Sequence, residues 1–183
     1  MVEVELKFQV PDLKDFRKRL ENKNVHSGPV SYQRDVYFHH NLHDFVKNDL
    51  ALRIRNSDGK FTLTFKGPNQ DETAKIRREI EVDLPDEQAV QNMQSIFEGC
   101  GFFVRAEVEK QRETFVWKLD GDNVQVCLDE VKGLGAFVEL ELIVDTENDQ
   151  GAIESAKDRL LEMAKSLGLA DPIVTSYLHL LLK

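Results

Sequence analysis

Charged and apolar residues alternate along several short segments of the chain, which is the pattern of β-strands with one apolar face. The first segment, residues 3–8, places Glu3, Glu5 and Lys7 on one face and apolar side chains on the other, because strand side chains repeat every two residues. The same reading predicts further strands at residues 32–38, 50–55, 60–66, 75–84, 105–118, 123–129 and 137–145. The chain therefore holds about eight strands.

Helical spacing of apolar residues separates some of these strands. It predicts a helix after Pro11-Asp12, a second over residues 85–98, a third over 150–167 and a short terminal helix or docking segment at 176–182. Residues 22–29 are polar and contain Gly28 and Pro29, which indicates a loop. Short turns, such as the glycine turn at Gly59, join most strands as hairpins. Residues 1–183 thus form one predicted antiparallel α+β domain.

Charged residues dominate one face of nearly every predicted strand. The acidic residues in phase are Glu3, Glu5, Glu79, Glu81, Asp129, Glu139 and Glu141, and the basic ones are Lys7, Arg53, Arg55, Lys66, Lys75, Arg77, Lys110 and Arg112. Two arrangements fit this pattern. Either the apolar faces form an internal core and the charges face water, or the sheet closes into a barrel with helices outside and charges lining a lumen. Periodicity alone leaves both open.

Composition narrows the range of partners and compartments. The 183 residues carry a formal net charge of −9, which disfavours nucleic acid and anionic membranes as partners. The two cysteines form no disulfide framework, which is typical of a reducing cytosol. No apolar run approaches the roughly 20 residues of a membrane helix, and the chain enters a strand without a signal segment. We therefore expect a cytoplasmic protein.

The ordered set of motifs resembles the CYTH superfamily, the triphosphate tunnel metalloenzymes. The motifs are Glu3-x-Glu5-x-Lys7, Asp35-x-Tyr37-Phe38, Leu52-Arg53-x-Arg55, Thr64-x-Lys66-Gly67, Arg77-x-Glu79-x-Glu81, Lys110-x-Arg112, Asp129 and Glu139-x-Glu141. The resemblance covers the whole chain and implies an eight-stranded antiparallel barrel with helices packed outside and a charged tunnel.

Within the superfamily, the chain is most similar to the class IV adenylyl cyclase branch. The segments that carry this likeness are residues 109–112, 128–139 and 176–181. Glu141, however, is a second glutamate in the last strand, which is similar to the triphosphatases. The resemblance implies a lyase that converts ATP to cyclic AMP and pyrophosphate, with a hydrolase of inorganic triphosphate, thiamine triphosphate or nucleoside triphosphate as the alternative. It also implies a homodimer.

The resemblance and the residue types together give candidate roles. Carboxylates suit Mg²⁺ or Mn²⁺, and the metal-ligand candidates are Glu3, Glu5, Asp129, Glu139 and Glu141. Arginine and lysine suit phosphate, and the triphosphate-binding candidates are Lys7, Arg53, Arg55, Lys66, Lys75, Arg77, Lys110 and Arg112. Lys7, Asp129 and Arg112 are the catalytic candidates. Glu79 and Glu81 are expected to hold arginine side chains in place.

Overall fold

The computed structural model describes residues 2–21, 23, 25–119, 122–144 and 149–183, and this part of the chain contains eight strands and four helices. The strands are β1 (Val2–Gln9), β2 (Val25–His40), β3 (Ala51–Ser57), β4 (Lys60–Lys66), β5 (Lys75–Leu84), β6 (Phe102–Leu119), β7 (Asp122–Val131) and β8 (Gly135–Val144). The helices are α1 (Leu13–Glu21), α2 (Glu87–Gly99), α3 (Gln150–Ser166) and α4 (Tyr177–Leu181). The predicted turn at Asp120-Gly121 lies outside the described residues.

The eight strands close into one antiparallel barrel, as predicted. Their order around the barrel is β1-β5-β4-β3-β2-β6-β7-β8, and β1 closes the circle by pairing with both β5 and β8. Closure leaves every strand with two neighbours, so no sheet edge is exposed. Because successive side chains point to opposite faces, every strand contributes one row to the lumen and one to the outside.

The largest apolar cluster lies outside the barrel, between the sheet and two helices. Leu6 of β1 and Leu140 of β8 pack in it with Phe16 of α1 and Leu160 of α3. A smaller cluster joins Phe38 and other apolar residues of the β2–β3 sheet to α2. The apolar stripes of the helices therefore cover the apolar outer face of the strands, and the charged faces point inward.

Helix α4 closes one end of the barrel. Tyr177 and Leu178 are buried there against Tyr37, Val131 and Phe137, and the ring of Tyr177 lies 5.0 Å from that of Phe137. The sequence predicted a terminal helix or docking segment, and the segment is both. Within the described residues, no helix is long and apolar enough to cross a membrane.

The prediction of a loop over residues 22–29 is wrong for its second half, because β2 begins at Val25. The strand pairs with β6 on both sides of an irregularity between Ser27 and Val30. The bulge places Gly28 and Pro29 opposite one residue of β6, which lets a strand accept a proline. A side chain at Gly28 would lie 3.0 Å from the carbonyl oxygen of Thr114, so a glycine fits this close approach.

A surface ion pair ties the β4–β5 connection to α3. Asp71 accepts hydrogen bonds from the amides of Thr73 (2.7 Å) and Ala74 (3.0 Å) and from Nζ of Lys157 (2.5 Å). Partial burial raises the pKa of Asp71, but the hydrogen bonds from Lys157 and Thr73 outweigh it and lower that pKa below its ordinary value. The carboxylate is therefore more stable in the folded state than in the unfolded chain.

We expect Asp71→Ala to lower the free energy of unfolding at pH 7 by about 1–3 kcal/mol, because two backbone donors lose their partner. The loss should shrink as the pH falls below about 4, since a lowered pKa stabilises only where the carboxylate is ionised. Thermal denaturation measured across that pH range tests both points. Glu72→Ala, at an exposed neighbouring position, is the control and should change stability by less than about 0.5 kcal/mol. An equal effect of the two variants would contradict the role of Asp71.

Candidate active site

The lumen of the barrel is a cavity of about 430 Å³ lined by charged side chains. Nearly all of the predicted site residues reach it. They are Glu3, Glu5, Lys7, Arg53, Arg55, Lys66, Lys75, Arg77, Lys110, Arg112, Glu139 and Glu141. The remaining candidate, Asp129, is fully buried in the wall behind the cavity.

Three of the carboxylates form a compact group. Oxygen atoms of Glu3, Glu5 and Glu141 all lie within 4.8 Å of one another. Glu3 and Glu5 lie on the same face of β1, and Glu141 is the direct partner of Glu5 on β8. Three oxygen ligands so close together match the preference of Mg²⁺ and Mn²⁺ for hard donors. The donor set therefore fits a divalent cation.

The carboxylate group is electrostatically unbalanced on its own. Burial raises the pKa of Glu141 to about 7, against the opposing effect of Arg112. The negative charges of Glu3 and Glu5 contribute to this rise. Glu141 is the unbalanced member, because Lys66 beside Glu3, and Lys7 and Lys75 beside Glu5, lower the pKa values of the other two carboxyls against the effect of burial.

Two lysines lie next to the carboxylate group, on the side toward α4. Lys7 is 3.1 Å from Glu5 and 3.1 Å from Glu139, and Lys75 is 2.8 Å from Glu5. Burial, together with the neighbouring cations Lys7 and Arg77, lowers the pKa of Lys75 to about 7 despite the nearby Glu5. The ammonium of Lys7 also lies 4.2 Å from the ring centre of Tyr177, a cation–π distance.

Arg112 connects three carboxylates on β7 and β8. Its Nε and Nη2 donate to the two oxygens of Asp129 at 2.7 and 2.6 Å, and its Nη1 donates to Glu141 at 3.1 Å. It also donates to Glu139. Burial alone would lower the pKa of Arg112, but the surrounding carboxylates, Asp129 first, raise it. Arg112 therefore remains a permanent cation in the wall of the cavity.

Both carboxylate oxygens of Asp129 already accept hydrogen bonds from other side chains. Besides Arg112, it accepts from Nζ of Lys110 at 2.8 Å and from the hydroxyl of Tyr177 at 3.0 Å. The structure therefore does not bring Asp129 into the carboxylate group, although the sequence grouped it with the metal ligands. Its position is that of a residue that holds Arg112 and Lys110 in place.

In the opposite wall, Asp35 likewise is a buried carboxylate that accepts hydrogen bonds from two basic side chains. Arg55 forms a bidentate pair with Asp35 at 2.6 and 2.7 Å, and Arg53 donates to it at 3.2 Å. Burial raises the pKa of Asp35, but Arg53 and Arg55 together lower it below its ordinary value. Asp35 was not among the predicted site residues, although it lies in phase with Tyr37 on the strand before the Arg53-x-Arg55 strand.

Lys66, Glu79 and Glu81 lie between these two walls. Lys66 is 3.1 Å from Glu3 and also contacts Glu79. Burial raises the pKa of Glu79 to about 8 despite Lys66. Glu81 accepts from Thr64 at 2.9 Å and lies 4.0 Å from Arg53.

Among the described residues, one cation of the wall, Arg77, has no ion-pair partner, and another, Arg53, keeps one unpaired nitrogen besides its contact with Asp35. Arg77 is only 5% exposed, and no carboxylate of the described chain lies within 4.0 Å of its guanidinium. The Nε of Arg53 is buried without a hydrogen-bond acceptor in the same part of the chain. A buried cation is costly without an anion. The cavity therefore has the capacity to bind an anionic ligand.

At the end of the cavity away from α4, the wall formed by β6, β7 and β8 is neutral, whereas β5 carries Glu79 and Glu81 toward that end. Strand β8 runs from Phe137, which contacts Tyr177, to Ile143, which is 42% exposed. Thr114 and Gln125 also line this part of the cavity. Gln125 is the direct strand partner of Glu141, and Ile143 is that of Glu3. The carboxylate group thus lies between a basic section toward α4 and an open section that is neutral along β6, β7 and β8.

Two further residues of the lumen were missed as site residues in the sequence. Tyr177 hydrogen-bonds Asp129 and lies over Lys7, but its terminal segment entered the sequence analysis as an apolar element and a family motif without a role in the site. Gln33 lines the cavity, and it precedes Asp35 by two residues, so the two-residue period of the strand was the signal that could have found it.

A closed barrel around facing acids and bases defines a protein with a charged tunnel. The chain belongs to the CYTH family, because residues 1–172 match the CYTH domain. A Methanocaldococcus jannaschii protein named "putative adenylate cyclase" is 34% identical over 182 residues, which is 98% of both chains. The family prediction is confirmed.

Solved structures show the same fold. The PH1819 protein from Pyrococcus horikoshii is 33% identical with a TM-score of 0.83, covering 98% of each chain. A Hippeastrum protein, described as a putative adenylyl cyclase with a dominant triphosphatase activity, is 21% identical with a TM-score of 0.70, covering 97% of this chain and 92% of that one. The family binds triphosphates and uses divalent metals.

Proposed function

We propose that this protein is a divalent-metal-dependent adenylyl cyclase that converts ATP to cyclic AMP and pyrophosphate in the barrel lumen. The observation that carries the proposal is the position of the carboxylate group. It lies between a section rich in buried lysine and arginine and a section that opens to solvent, where Thr114, Gln125 and Ile143 form a neutral wall. A nucleoside triphosphate has the same division, with a polyanion at one end and an uncharged nucleoside at the other.

The basic section is suited to the triphosphate. Lys7, Lys75 and Arg77 line it, and the lack of an ion-pair partner for Arg77 within the described chain leaves it available for phosphate oxygens. Arginine binds phosphate through two parallel donors, and lysine acts as a point charge. Because Lys7 and Lys75 are fixed by Glu5 and Glu139 before the substrate arrives, these two lysines stabilise developing charge without reorganisation.

Glu3, Glu5 and Glu141 would hold the Mg²⁺ or Mn²⁺ ion. A bound ion would supply charge neutralisation at the phosphate and a lower pKa for the attacking hydroxyl. In cyclisation the ribose 3′-oxygen loses its proton and bonds to the α-phosphorus, and the bond from that phosphorus to pyrophosphate breaks. The reacting atoms lie where nucleoside and triphosphate meet, which corresponds to the carboxylate group between the two sections.

Hydrolysis of a triphosphate is the second candidate function. Glu141 favours it, because a second glutamate in the last strand resembles the triphosphatases. The activity reported for the Hippeastrum protein points the same way. In that reaction water attacks the terminal phosphorus, so the product is orthophosphate. The two reactions would use the same cations and differ in which phosphorus meets the nucleophile.

Incubation of the protein with ATP and Mn²⁺, followed by chromatography of the products, is the decisive experiment. We expect cyclic AMP and pyrophosphate in equal amounts, because cyclisation produces one of each. 3′-Deoxy-ATP is the matched control, since it lacks the attacking hydroxyl and should give no product. Orthophosphate from both nucleotides would contradict the cyclase proposal and establish hydrolysis, whereas unchanged ATP would contradict both.

A further inference from the structure

We infer that Gln33 determines the specificity of the tunnel by binding the uncharged organic group that carries the triphosphate, a nucleoside. This inference rests on the proposed function, because it takes the lumen as the triphosphate site. It adds a residue that discriminates between a nucleoside triphosphate and inorganic triphosphate. The chemical class it recognises is a sugar hydroxyl or a base amine.

The first observation is an unpartnered amide in the cavity wall. Gln33 is 8% exposed, and its Nε2 donates to the hydroxyl of Ser31 at 3.4 Å. Its Oε1 is buried and has no hydrogen-bond partner among the described residues. Either orientation of the amide leaves one polar atom unpaired, because Ser31 is the single partner found in this part of the chain. A hydroxyl of a ligand, which both donates and accepts, satisfies either orientation.

The second observation is the order of side chains along β2. Tyr37 belongs to the apolar cluster around Tyr177 at the closed end of the barrel. Asp35, two residues earlier on the same face, holds the two arginines of the charged section. Gln33 and then Ser31 follow toward the open end. Along β2, Gln33 is therefore the first neutral position beyond the arginine-binding Asp35, and its strand partner on β6 is Lys110.

The third observation concerns the direction in which a bound molecule extends. Tyr177 and Leu178 close the far end of the barrel and are 7% and 6% exposed. Thr114, Gln125 and the exposed Ile143 line the near end. A triphosphate held by the buried lysines thus directs any attached group past Gln33 to the open end. Inorganic triphosphate has no such group and makes no contact there.

The test compares ATP with inorganic triphosphate in a Gln33→Leu variant, which keeps the side-chain volume but removes the amide. We expect the KM for ATP to rise about three- to ten-fold, the effect of one neutral hydrogen bond. The inhibition constant of inorganic triphosphate against ATP should stay unchanged. A general structural effect would change both the KM for ATP and the inhibition constant of inorganic triphosphate. Loss of nucleoside recognition would change only the KM for ATP, so the ratio of the two constants distinguishes these effects.

Gln111→Leu is the matched control, since Gln111 is exposed on the outer face of β6. It should leave both constants unchanged. Gln33→Glu, which keeps the Oε1 acceptor, should retain part of the preference for ATP. Equal changes for the two ligands in Gln33→Leu, or no change for either, would overturn the inference while the proposed function stands. If the wild-type protein neither turns over ATP nor binds inorganic triphosphate, the proposed function itself fails.

Discussion

Replacement of Glu141 by glutamine is expected to lower turnover about a thousand-fold while leaving the metal-free protein as stable as before or more stable. Glu141 shares a cluster within 4.8 Å with Glu3 and Glu5. Without a bound metal ion, removing the charge of Glu141 relieves its repulsion with Glu3 and Glu5. With a metal ion bound, the same substitution removes one of the carboxylate ligands. The loss of a metal interaction worth several kcal/mol corresponds to about three orders of magnitude in rate.

Thermal denaturation with and without Mn²⁺ distinguishes the two effects. A ligand that binds the folded state raises the unfolding temperature, so Mn²⁺ should stabilise the wild-type protein and have much less effect on Glu141→Gln. Glu107→Gln is the control, because Glu107 forms a surface ion pair with Arg34 at 2.7 Å and should change neither turnover nor the Mn²⁺ response. A wild-type protein indifferent to Mn²⁺, or a variant with normal turnover, would remove Glu141 from the proposed metal site.

The sequence predicted which residues share the charged face of the strands better than it predicted whether that face points into the barrel or out to solvent. Strict alternation in β1 separated Glu3, Glu5 and Lys7 from the apolar face, and all three line the cavity. Alternation is symmetric, however, and cannot distinguish a charged exterior from a charged interior. The direction follows from closure, since β1 pairs with both β5 and β8. It also follows from the outer position of α1 and α3. Both are relations between distant segments that a local pattern does not contain.

The other incorrect or incomplete sequence predictions also depend on contacts between segments that are distant along the chain. Gly28 and Pro29 indicate a loop by composition, yet β6 supplies a pairing partner that extends β2 through a bulge. The motif that contains Tyr177 indicated a family likeness and an apolar terminal element but no site role, whereas its hydroxyl reaches Asp129 because α4 folds back over the end of the barrel. Asp129 matched the other acids in phase, and only its three-dimensional neighbours assign it to Arg112 and Lys110.

Replacement of Arg112 by methionine is expected to have the largest combined effect on stability and turnover. Among the described residues, the variant leaves Glu139 without one of its cations and Asp129 with Lys110 and Tyr177 as its remaining side-chain partners. Breaking a buried ion-pair network in this way costs about 3–5 kcal/mol, which corresponds to a fall in unfolding temperature of about 6–20 °C for a chain of this length. Turnover, measured where the variant is still folded, should fall by about two to three orders of magnitude, as on losing a preorganised donor.

A double-mutant cycle that combines Arg112→Met with Asp129→Asn tests whether Asp129 acts by positioning Arg112 or takes part in the reaction itself. If Asp129 acts mainly by holding Arg112, as their contacts at 2.7 and 2.6 Å indicate, the combined change should destabilise the protein by less than the sum of the single changes. Turnover should not recover, because the cation is still missing from the cavity wall. Arg34→Met, which breaks only an exposed ion pair with Glu107, should cost less than about 1 kcal/mol. Strictly additive losses would show that Asp129 does not act through Arg112, and normal turnover in folded Arg112→Met would place Arg112 outside the chemistry of the tunnel.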